Sequence, residues 1–164
     1  MMLGMSLSTF TTMHVIISLV GIGSGFVVMF GMLSAKRLNG WTALFLLTTV
    51  LTSVTGFGFP FTHVTPGHKV GAISLVVLVI TLLARYSFHM VGKWRSIYVI
   101  TAIIAQYLNV FVLVVQGFEK VPALNALAPT QSEPPFLVAQ LVVMALFIVL
   151  TIFAVKRFHP DAAR

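Results

Sequence analysis

The chain has 164 residues, 59% of them hydrophobic and 8% charged, with a mean hydropathy of +1.05. A soluble domain carries about 25% charged residues, so water is excluded as the solvent for most of this surface and a lipid bilayer is left. The net charge of +7 sits in lysines and arginines gathered at helix ends, which argues for membrane topology rather than nucleic-acid binding; the lack of cysteine excludes disulfides, thiolate chemistry and iron–sulfur or zinc–thiolate centres.

The N-terminal stretch "MMLGMSLSTFTTMH" has no basic n-region, so it reads as the start of a retained span rather than a cleavable signal. The first predicted span covers residues 10–35. Its "GIGSG" segment places Ser18, Gly21 and Gly25 on one face, with His14 a turn earlier on that face and therefore pointing into a bundle. The second span, 41–60, carries a stripe of Thr48, Thr52 and Thr55 beside one of Thr49, Ser53 and Gly56, the pattern of interhelical hydroxyl contacts.

The connector "FPFTHVTPGHK" follows. Pro60 and Pro66 stiffen it, and it presents His63 and His68. The third span, 70–91, is expected to pack through Ala72, Leu75, Val79, Leu82 and Tyr86, with His68 and His89 at the two ends of that stripe. Arg85 near its end is expected to snorkel to the headgroups; the alternative is contact with an anion, a quinone or a lipid headgroup, helped by Tyr86. The fourth span, 97–117, holds Gln106 and Asn109 at mid-depth, as helix contacts or as the lining of a ligand or water path. A long connector, 118–136, contains Glu119, Gln131 and Glu133. The fifth span, 136–156, carries Gln140 and Thr151 as its polar positions.

Eight of the ten basic residues (Lys36, Arg37, Arg85, Lys93, Arg95, Lys156, Arg157 and Arg164) fall on one side of this arrangement, and Lys69 and Lys120 on the other. The positive-inside rule then places the N-terminus outside and the C-terminus in the cytoplasm. Trp41, Trp94 and Tyr98 fit an aromatic belt at the inner boundary. The expectation is an all-α integral membrane protein, a single domain over 1–164 built as a five-transmembrane-helix bundle.

With that threading, His14, His63, His68, Glu119 and Glu133 converge at the outer face. Ionisable groups at membrane depth are functional candidates. Three chemistries fit them. A b-type haem would use His14 and His68 as axial ligands, with Lys69 and Lys120 near the propionates and a weaker inner pair in His89 and His159. A transition metal would use His14, His63 and His68 with Glu119 or Glu133, and Met2, Met5 and Met13 as soft donors. A cofactor-free cluster would cap the bundle or form a ligand-responsive site.

"TSVTGFGFPFTHVTPGH", "ALAPTQSEPPF", "LLARY" and "YLNVFVLVVQGFEKVPAL" together resemble a group of small multi-spanning bacterial inner-membrane proteins. The resemblance implies a bacterial inner-membrane location and a compact helical bundle. It implies no catalytic residue.

No nucleophile, base and acid assemble into a set, and no Walker or HExxH sequence is present, so the leading reading is non-catalytic. An outward polar pocket would bind a small ligand or a partner subunit through His14, His63, His68, Gln131, Glu133 and the 118–136 connector. The alternatives are haem-b electron transfer and a small oligomeric transporter or channel with Gln106 and Asn109 on its path.

Overall fold

Prolines and hydroxyls set where the helices begin. The computed structural model describes residues 4–60 and 62–160; Met2, Asp161 and Arg164 lie outside them. Helix α1 (Leu7–Leu33) starts at Ser6, whose hydroxyl accepts from the Thr9 N–H at 3.1 Å. Helix α2 spans Asn39–Gly56, and its cap, Leu38, has no side-chain acceptor to offer. Helix α3 (Pro66–Leu82) opens on a proline after Thr65, then widens into a π-helical turn at Leu83–Ser87. Helix α4 (Lys93–Lys120) ends where Val121 precedes Pro122, since a residue before proline avoids the helical region. The short α5 (Pro122–Leu127) and α6 (Pro134–Arg157) also open on prolines.

The described residues contain no β-strand, and Leu7–Leu33, Pro66–Ser87, Lys93–Lys120 and Pro134–Arg157 are long and apolar enough to cross a membrane. The chain is therefore an all-helical membrane protein with four such helices. The fifth expected span corresponds to α2, which has 18 residues and is diluted by threonines, serine, asparagine and glycine. At 1.5 Å per residue it is about 27 Å long, just short of the hydrocarbon thickness.

Helix α4 is the centre of the bundle and touches α1, α3, α5 and α6; α2 lies between α1 and α3. Successive neighbours run antiparallel. His14 of α1 meets Thr55 of α2 near one end, and Gly31 faces Leu38 near the other. Arg85 reaches Asn39 at the start of α2, and Arg95 of α4 donates to the Val155 and Phe158 carbonyls at the end of α6, at 2.9 and 2.7 Å. One end thus gathers the starts of α1, α3 and α6 (the His14 end), and the other gathers Arg85, Asn39 and Arg95 (the Arg85 end).

The core holds Met29, Met32, Phe45, Leu78, Tyr98 and Ile103. Gly25 is needed where α1 meets it: a methyl there would collide with the Gln106 carboxamide and come within 2.9 Å of the Phe45 ring.

The α3 stripe differs from expectation. Ser74, Leu78, Thr81 and Arg85 are buried, whereas Val79 and Tyr86 are 55% and 50% exposed. In lipid the outer face is as apolar as any core, so the inner face is marked by small and polar residues instead. His89 is not on α3 at all. It lies exposed in the turn beyond the π-segment, with φ of 49°, and His159 is exposed past the end of α6.

The hydroxyl stripes also behave differently. Thr48, Ser53 and Thr81 donate to the carbonyl four residues back in their own helices, at 2.7–2.9 Å. At mid-bundle, the bonds between helices come from the carboxamides. Gln106 Nε2 donates to the Ile22 carbonyl at 2.8 Å, Asn109 Nδ2 to Thr49 Oγ1 at 3.2 Å, and Gln140 Nε2 to the Phe111 carbonyl at 3.2 Å.

Candidate functional site

At the His14 end, each histidine is fixed by a different neighbour. Thr55 Oγ1 donates its one proton to the Leu51 carbonyl at 2.7 Å, so toward His14 Nδ1, at 2.8 Å, it can only accept. His14 therefore carries its proton on Nδ1 and a lone pair on Nε2. The half-buried ring meets Phe59 edge to face at 5.1 Å, and Phe59 in turn meets Phe10 at 5.0 Å.

His68 has the opposite arrangement. It is the third residue of α3, and it forms a capping box with Thr65. Its Nδ1 accepts from the Thr65 backbone N–H at 3.3 Å and lies 2.6 Å from the Thr65 hydroxyl, which then donates to the same nitrogen. The proton sits on Nε2. Axial ligation through Nε2 would need the proton moved to Nδ1, against a backbone donor. The His14–His68 haem pair therefore does not fit: His14 has the tautomer a ligand needs and His68 has the other.

The remaining candidates of the expected outer face are spread over the surface. His63 is exposed and 3.2 Å from the Thr62 hydroxyl. Glu119 accepts from Gln116 Nε2 at 3.3 Å. Glu133, the N-cap position of α6, accepts from the Thr130 N–H and hydroxyl at 3.2 and 2.8 Å and from the Ser132 N–H at 3.1 Å. Desolvation pushes its carboxyl up, but these hydrogen bonds outweigh it and hold the group below its ordinary value. Gln131, with φ of 59°, donates through Nε2 to the Val115 carbonyl at 3.1 Å, and Asn125 Nδ2 donates to the Phe118 carbonyl at 3.2 Å. These two bonds tie the 121–133 connector onto the end of α4. Among the described residues no three of His, Asp and Glu approach closely enough to hold a metal ion, so the expected transition-metal set of His14, His63, His68 and a glutamate is not assembled.

Mid-bundle, Gln106 is 1% exposed and the notch beside it, between Gly25, Phe45 and Ile103, admits no water-sized sphere.

At the Arg85 end the arginine does not snorkel. It is 5% exposed, and the π-turn directs it inward. Nη2 donates to Asn39 Oδ1 at 2.7 Å, Nη1 lies 3.9 Å from Met90 Sδ, and the guanidinium sits 5.2 Å from the Tyr98 ring centre and 5.6 Å from that of Tyr86. Nε is buried with no hydrogen-bond partner. Tyr98, expected in the interfacial belt, is 1% exposed, while Trp41 is 49% exposed. The sequence reading missed Asn39 and Met90. Asn39 stands alone in a polar loop, and Met90 reaches Arg85 only because His89 and Met90 both adopt left-handed backbone, φ 49° and 56°.

No family model, no curated protein and no solved structure matches this chain.

Proposed function

We propose that the chain is a non-catalytic multi-pass protein of the bacterial inner membrane. In this reading five helices span, α2 included, with the N-terminus outside and the C-terminus in the cytoplasm. The charge distribution supports the direction. Helix α2 runs beside α1 from the His14–Thr55 bond to the Gly31–Leu38 contact, which supports counting it as a span.

The His14 end then faces outward and binds a small donor-bearing ligand or the end of a partner helix. The observation that carries this is the His14–Thr55 bond, which leaves an acceptor nitrogen on a half-buried ring packed edge to face with Phe59. An acceptor beside an aromatic ring suits a group with one hydroxyl or amide donor and an apolar body. The anchored connector beside it supplies a fixed rim through Gln131.

Native mass spectrometry of the protein released in a mild detergent tests this. The expected result is a non-lipid adduct or a second polypeptide on the wild type, lost in H14A and kept in H63A. A bare protein mass for the wild type, or an adduct kept in H14A, contradicts the reading.

A further inference from the structure

An arginine taken out of water needs a compensating charge, because burying an unpaired cation costs several kcal/mol even after relaxation. Arg85 is 95% removed from solvent by the 5% exposure above, yet the described carboxylates, Glu119 and Glu133, both belong to the other end of the bundle. Its compensation within the described residues is one amide oxygen, one thioether, two ring faces and the Tyr98 hydroxyl. Cation–π contact offsets less than the burial of the charge costs.

What Arg85 reaches is a second positive element. Asn39 is the first residue of α2, a helix of 18 residues whose N-terminus has no side-chain cap. The leading N–H groups of such a helix are unsatisfied and carry the positive end of its dipole. Asn39 and Gly40 are both exposed, so this end of the helix is open to solvent or headgroups. Oriented N–H groups beside a guanidinium make a site for a tetrahedral anion. Exposed Trp41 and Tyr86 stand alongside, as side chains do at headgroup depth.

We propose that the α2 N-terminus and Arg85 form a binding site for a phosphate group, and that at this depth the group belongs to the headgroup of an anionic phospholipid. The first N–H groups of α2 bind the group, Arg85 supplies the charge beside them, and Asn39 orients the guanidinium. The site is independent of the reading of the His14 end and holds in either leaflet.

The test is retention of phosphatidylglycerol by the detergent-solubilised full-length protein, titrated against phosphatidylcholine and read by native mass spectrometry. The wild type is expected to retain one phosphatidylglycerol in preference to phosphatidylcholine. R85Q is expected to lose about tenfold in that preference. N39D is the second variant, because it offers Arg85 an internal carboxylate and so displaces the lipid without emptying the site of charge. It should lose the preference while melting no lower than the wild type, which keeps the test informative if R85Q fails to fold. Inorganic phosphate added in excess separates the two sources: displacement of the lipid assigns the site to free phosphate, and no displacement assigns it to the headgroup. Equal retention by wild type and N39D overturns the proposal. So does a gain in retention in D161N, which would identify the tail carboxylate as the existing counter-ion.

Discussion

A single glycine shows how tightly the middle of this molecule is specified. Gly25 lets α1 approach α4 so closely that Gln106 Nε2 can reach the Ile22 carbonyl. G25A is expected to destabilise the protein by about 1–3 kcal/mol, the usual cost of forcing atoms into a filled interior. Thermal unfolding in detergent measures it. If the clash is the cause, shortening the partner relieves it, so the G25A/Q106A pair should be more stable than the sum of the single changes predicts. Strict additivity would contradict the contact. The glycine's position on an inward face was readable from the "GIGSG" spacing, but its partner was not, because nothing in one sequence says which carboxamide lies opposite. Histidine protonation was hidden for a similar reason. His14 and His68 look alike as residues, and only Thr55 and the Thr65 capping box make one an acceptor at Nε2 and the other a donor.

At the scale of elements, spans were legible and faces were not. Runs of apolar residues marked α1, α3, α4 and α6 to within a few positions. The inward side of α3 was misjudged because every side of it is apolar, so its Ser74, Thr81 and Arg85 were the informative positions rather than Leu75 and Val79. The π-turn at Leu83–Ser87 left no sequence signal and yet decides that Arg85 turns inward. The connector before α6 was read as a loop, but its order rests on named bonds and is testable. Glu133 holds Thr130 and Ser132 as a carboxylate. Its folded value lies below 4.5, so this stabilisation is present above pH 4.5 and is lost as pH falls further through the folded value. The amide resonances of Thr130 and Ser132 should move with pH in a transition centred below 4.5. A transition centred above 4.5 would contradict the assignment, and E133Q should show the low-pH positions throughout.

For the whole molecule, the central claim is that alternating helices bring both proline-bearing connectors to one membrane face and Arg85, Asn39 and Arg95 to the other. The outward reading of the His14 end depends on it. The standing of α2 is decided by a different pair: if α2 did not cross, the turn at residues 34–38 and the connector at 57–65 would lie on the same face, whereas α3 and α4 separate the two connectors in either case. The chain has no cysteine, so single cysteines can be introduced without a background. Intact cells carrying H63C, T130C or R37C would be treated with a membrane-impermeant thiol reagent, before and after permeabilisation. The account predicts that H63C and T130C label in intact cells and that R37C labels only after permeabilisation. Labelling of H63C and T130C from opposite sides would contradict it.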